Sequence, residues 1–234
     1  MTDQEIDDAL QRAARSPPEV QAQLLKRIAG SIAPSLRPVR PLPPSWVLSS
    51  ALGLIGGAVA LIGAARAGFQ GLEALGFLSR VLILGALAVF IWAAARRAVD
   101  EWTPGSPRPL STGGLVAAFS VALAVVFGLL FNDYRTENFL SAGLTCLGTG
   151  VLHAIPAALI GWWVLRRGCA LDSMSAGLAV GALAGLAGLA VLELHCANFE
   201  ALHVLVWHTL VVPVSAGFGA LTGWALPRPG RRDM

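Results

Sequence analysis

The chain has 234 residues, 55% of them hydrophobic and only 13% charged, with a formal net charge of +3. A water-soluble domain carries about 25% charged residues, so this composition excludes a soluble globule. The apolar residues instead gather into six stretches, each near the ~20 residues that cross a bilayer as a helix.

Residues 1–45 come first and are polar, acidic at the start, with no apolar core followed by a small-residue cleavage site, so no secretory signal peptide is expected. Thr2 with Glu5 and Ser16 with Glu19 match capping boxes, and Pro17 stands at a first helical position. Two short helices are therefore predicted. In the second, Val20, Leu24, Ile28 and Ile32 recur every four residues beside Leu25 and form one apolar stripe flanked by Lys26 and Arg27. A helix of ~13 residues is unstable alone in water. The stripe lies on the inner lipid leaflet, folds against a cytoplasmic protein, or belongs simply to a floppy terminus. On the second reading the candidate partner-binding residues are Ile6 and Leu10 on the first helix, with Val20, Leu24, Leu25, Ile28 and Ile32 on the second. The segment PSLRPVRPLPP, residues 34–44, predicts a stiff extended spacer, and Trp46 suits a membrane interface.

The six predicted spans are 46–65, 75–95, 112–131, 144–165, 174–195 and 203–226, followed by a short tail, 227–234. The fold class is thus all-α, an integral membrane bundle with a partly helical amino-terminal tail. Six spans put both termini on one side. That side collects fourteen of the seventeen Lys and Arg residues, leaving Arg66, Arg80 and Arg135 at the other. Positive charge stays cytoplasmic, so both termini are expected inside.

Gly177, Gly181 and Gly185 lie at four-residue spacing in the fifth span, as do Gly53 and Gly57 in the first and Gly219 and Gly223 in the sixth. Such spacing predicts close helix packing within the bundle, or a homodimer face. Pro156 and Pro213 fall inside the fourth and sixth spans, where kinks are expected. Buried ionisable groups, the usual stations of a pump, are scarce.

The remaining chemistry lies in LHCANFEALHVLVWH, residues 194–208. Cys146 and Cys196 sit within about one turn of the same depth at the outer side, counted from the hairpin 165–173. They are two unrelated small residues, or a redox-linked or metal-capturing pair. His195, Cys196, Glu200 and His203 offer soft and borderline donors for zinc or cadmium, although their two histidines do not form the i, i+4 dyad of helical zinc sites. His195 is therefore grouped with Cys146 and Cys196 as a candidate metal ligand. His153 and His208 lie deeper, where a bis-histidine haem is conceivable; bundle histidines satisfied by backbone carbonyls are the plainer reading, and no cofactor is expected. No nucleophile–base arrangement, phosphate loop or carboxylate pair points to an enzyme.

Several stretches of the carboxy-terminal half together resemble the NrsF family. They are Cys146-Leu147, Pro156, LRRG at 165–168, AGLAVGALAGLAGL at 176–189, LHC at 194–196 and VWHTL at 206–210. These are six-helix bacterial inner-membrane proteins, negative regulators of sigma F and related extracytoplasmic-function sigma factors. The resemblance implies an anti-sigma factor whose cytoplasmic amino-terminal segment holds the sigma factor, without direct contact to nucleic acid. It also implies that Cys146 and Cys196 answer metal or oxidative stress. The chain departs from the family in having His208 where Tyr is usual, an additional Cys169, and a longer, proline-rich tail. The competing readings are a small transporter or channel, and a haem- or metal-binding membrane protein.

Overall fold

The computed structural model describes residues 18–32, 43–106, 110–135, 138–166 and 170–225, and the chain divides into two units, residues 1–42 and 43–234. In the first unit α1, Pro18–Ile32, covers the second predicted tail helix. Leu24, Leu25 and Ile28 of its stripe are exposed. Val20 and Ile32 fall on the same helix, whereas Ile6, Leu10, Cys169 and the 227–234 tail lie outside the described residues.

The second unit is a bundle of α2 (Ser45–Ala67), the short α3 (Gln70–Ala74), α4 (Phe77–Glu101), α5 (Thr112–Leu130), α6 (Phe139–Leu165), α7 (Ser173–His195) and α8 (Ala201–Ala225). All but α3 are long and apolar enough to cross a membrane. In hydrocarbon a helix satisfies every backbone N–H and C=O internally, so each apolar stretch folds as one helix close to its predicted limits. Among the described residues there is no strand, only a parallel bridge between Asp133 and Glu200.

The clearest departure is α4, which ends at Glu101 rather than near residue 95. Its last turns carry i, i+4 ion pairs that prolong the helix: Arg96 Nε lies 3.3 Å from Asp100 Oδ2, and an Arg97 Nη2 lies 2.9 Å from Glu101 Oε1. The same groups tie the helix to its neighbours. Arg97 Nε donates to Thr112 Oγ1 at 2.9 Å, the Thr112 hydroxyl donates to Glu101, and Arg96 donates to Ser45 Oγ at 2.7 Å. At the opposite end of α4, Arg80 donates to the carbonyls of Leu75 and Glu73 at 2.7 and 3.0 Å, closing the end of α3.

The bundle is centred on α7, whose apolar window is 89% buried, against 22 to 50% for the other five spans. Its sequence of Gly, Ala and Leu allows this, because small side chains let backbones approach where no hydrophobic drive separates helix from lipid. A Cβ on Gly177 would strike the Gly219 carbonyl, one on Gly181 the Ser215 carbonyl, and one on Gly185 would lie 2.9 Å from Val212 Cα. The glycine spacings of α7 and α8 thus face each other. Those of α2 do not: Gly53 and Gly57 have nothing within 4 Å, while Gly56 and Gly63 face the interior. Equal spacing does not say which face meets a neighbour. The outer helices expose large apolar side chains, among them Leu54, Phe77, Leu129, Leu152 and Trp224, as a lipid-facing belt requires.

The helices alternate in direction, so residues 131–135 and the 196–200 connection share one end of the bundle with α3. The start of α2 and the end of α8 share the other.

Candidate functional site

At the end shared by α3 and the 196–200 connection, α7 stops where Cys196 turns extended, its N–H still donating to the Leu192 carbonyl at 2.7 Å. The connection is pinned on re-entry: Ala201 N–H donates to the Asp133 carbonyl at 2.6 Å, and Phe199 stacks on Phe131 with ring centres 5.4 Å apart. α8 then makes one helical turn and passes through a π-helical turn, Val204–His208. Cys146 is in α6, beside Gly143, whose missing side chain leaves room for the Trp207 indole.

These elements bring four potential ligands together. Cys146 Sγ and Cys196 Sγ are 3.7 Å apart, and Cys196 Sγ is 3.9 Å from His203 Nε2. His208 completes the group, with one donor atom from each of the four residues lying within 4.8 Å of every other. His203 and His208 are fully buried and the cysteines partly so. The π turn is what aligns the histidines. Residues five apart on an α-helix are about 140° apart in azimuth, whereas an i→i+5 turn sets them over one another; the two rings meet edge to face at 5.2 Å.

Behind the cluster, His208 Nδ1–H donates to Glu193 Oε1 at 2.6 Å, both side chains being 1% exposed. That bond orients the ring and turns Nε2 toward the cysteines. Among the described residues, His208 Nε2 and His203 Nδ1 are buried without a hydrogen-bond partner. Cys196, just beyond the end of α7, has its thiol pushed above its ordinary value, first by the hydrogen bond to Cys146 and then by burial. It is therefore held as a thiol at neutral pH, and its thiolate fraction, the reactive form, grows as pH rises. A cavity of about 310 Å³ lined by Gln70, Thr145, Thr149 and His195 leads to both cysteines.

The remaining candidates are placed elsewhere. His195 Nδ1 lies 3.0 Å from Gln70 Oε1, and His195 is not one of the four clustered residues. Glu200 N–H donates to Asn198 Oδ1 at the start of α8, and Glu200 is likewise not among the four. His153 Nδ1–H donates to the Thr149 carbonyl at 2.8 Å, the satisfied-bundle arrangement, while His208 is engaged by Glu193, so the two do not form a pair. The grouping of His203, His208 and Glu193 is not evident from spacing read on an α-helix. The available signal is that ionisable residues inside apolar spans tend to pair with one another.

Gly71 of α3 lies against the end of α7, where a Cβ would come within 2.6 Å of the Cys196 carbonyl and 2.8 Å of the Glu193 carbonyl. Gly71→Ala is expected to push α3 off this backbone at about 1–3 kcal/mol. Its expected result is slower oxidative cross-linking of Cys146 to Cys196, scored by the mobility shift of the maleimide-treated protein; an unchanged rate would mean that α3 does not hold the pair in place.

A family model described as NrsF, negative regulator of sigma F, matches residues 32–228 of the chain. No curated protein and no solved structure matches it.

Proposed function

The chain belongs to the NrsF family, the negative regulators of sigma F, and from that premise we propose a membrane-embedded anti-sigma factor whose amino-terminal arm sequesters an extracytoplasmic-function sigma factor. The arm's chemistry supports this: Leu24, Leu25 and Ile28 present an uncovered apolar surface on α1, the mode by which an amphipathic helix enters a partner's groove. The protein then sits in the bacterial inner membrane with both termini cytoplasmic, a topology supported by the fourteen Lys and Arg on that side. The partners are the sigma factor and the lipid bilayer; neither catalysis nor nucleic-acid contact is required.

In this orientation Cys146 and Cys196 face the oxidising periplasm and respond to oxidant or heavy metal. The observation that carries the sensing half is the 3.7 Å approach of their sulfurs, one from α6 and one from the turn that follows α7. A two-electron oxidant such as peroxide takes two electrons from the pair; the thiols lose two protons, one S–S bond forms, and peroxide leaves as two waters. The link joins α6 to α7 and changes the state in which the arm binds. A transporter is less well supported. The buried ionisable groups of the bundle lie toward its two ends, Glu193 with His208 at one and Arg97 with Glu101 at the other, separated along α7 by Leu183, Leu186 and Leu189.

The test of the arm uses the full-length protein with Leu24→Asp, Leu25→Asp and Ile28→Asp together. Burying one such side chain contributes about 1.5–3 kcal/mol, so sigma-factor recovery from solubilised membranes is expected to fall by about 100-fold or more. Undiminished recovery would refute capture through this face. Loss of vesicle binding instead, with sigma recovery intact, would identify the helix as a leaflet anchor.

A further inference from the structure

We infer that Cys146, Cys196, His203 and His208 form a tetrahedral site for one divalent d10 cation of the zinc and cadmium class, with Glu193 as the carboxylate that orients His208. The inference deepens the sensing half of the proposed function, on which its regulatory meaning rests, by naming the ligand and adding α8 to the responsive elements.

Four observations converge. Two thiolates each about 2.3 Å from a tetrahedral zinc stand about 3.8 Å apart, and the sulfurs here are 3.7 Å apart. A mixed sulfur–nitrogen edge is about 3.6 Å, close to the 3.9 Å between Cys196 Sγ and His203 Nε2. The full set fits within 4.8 Å, so small rotamer shifts close it on an ion. Two thiolates and two imidazoles are a soft and borderline donor set, which selects zinc-class ions over calcium or magnesium. The Glu193–His208 hydrogen bond supplies the carboxylate–histidine support that metal-ligating imidazoles require, presenting Nε2 to the ion. Finally, His208 Nε2 is buried without a hydrogen-bond partner, a placement that a metal bond satisfies.

Binding replaces two S–H bonds by two metal–sulfur bonds and releases two protons, so the first shell is neutral overall, as a half-buried site near hydrocarbon demands. Metal and oxidant then act through one pair of thiols in mutually exclusive ways. A disulfide joins α6 to α7 and removes both thiolates; an ion joins α6, α7 and α8.

The test is titration of the reduced full-length protein in micelles with Co²⁺, followed by competition with Zn²⁺ and Cd²⁺. One equivalent is expected to give the visible d–d absorption of a tetrahedral ion with thiolate charge-transfer bands, abolished by prior oxidation to the disulfide. Glu193→Gln is expected to weaken binding about 10- to 100-fold. His203→Ala and His208→Ala are expected to weaken it further and remove the tetrahedral spectrum, while oxidant still cross-links Cys146 to Cys196, which also reports that the variants are folded. Absence of a tetrahedral spectrum in the unsubstituted protein would overturn the inference without recourse to any variant. So would a spectrum that needs both cysteines yet is unchanged in both histidine variants, an outcome that leaves two-thiol sensing standing. Conversely, a four-ligand spectrum in a protein whose cellular stress response survives loss of both cysteines would uphold the site and sink the sensing role.

Discussion

Changing Cys146 and Cys196 together to serine is expected to abolish release of the sigma factor by oxidant and by cadmium while leaving inhibition in unstressed cells intact. Serine is close to cysteine in size and both positions are only partly buried, so the bundle keeps its packing. What disappears is the S–S bond and the two soft ligands. The size of the lost response can be bounded. A cross-link contributes about 2–4 kcal/mol, whereas inverting a two-state equilibrium from 1:99 to 99:1 takes about 5.5 kcal/mol. Oxidation alone therefore moves a 1:99 mixture to somewhere between about 1:3 and 9:1, a graded induction. A sigma-dependent reporter in oxidant-treated cells measures it, and a double variant that still responds would end the sensing proposal. Each single variant should lose the disulfide outright.

Gly181→Val should be strongly damaging to the bundle. A Cβ there meets the Ser215 carbonyl and lies 2.9 Å from Ala216 Cα, and backbone, unlike a side chain, cannot rotate aside. Overpacking a well-packed interior usually costs about 1–3 kcal/mol; forcing two helices apart along their shared face belongs at or above the top of that range. Thermal unfolding in detergent and the steady-state level in membranes should both fall sharply. Gly57→Val is the matched control, because nothing lies within 4 Å of that position. Equal losses at the two sites would show that the α7–α8 contact is not what holds the bundle.

Much of this architecture is legible in the sequence because bilayer thickness and helix rise leave few options for an apolar run of twenty residues. The places where the sequence misleads have local causes. The charged run after residue 95 reads as a loop, yet Arg96, Arg97, Asp100 and Glu101 pair along a continuing helix. Gly53 and Gly57 share the spacing of Gly177 and Gly181 but point away from the interior, and spacing alone carries no azimuth. At the candidate site, depth counting along a helix hairpin puts Cys146 and Cys196 near one level, and the structure brings their sulfurs into contact. The pairing of His203 with His208 escapes because a five-residue interval looks mismatched until the π turn is known. His195 is adjacent to Cys196 in the chain, but neighbouring residues at a helix end diverge, and it turns to Gln70.

The glycine seam of α7 also limits how a disturbance can travel. With main chain lying on main chain at Gly177, Gly181 and Gly185, the central helix has no compressible side-chain cushion on that flank. It behaves as a strut about 34 Å long, from its 23 residues at 1.5 Å rise each. A tug at Cys196 is then expected to be carried along the helix toward Ser173 at its other end rather than absorbed by side chains on the way.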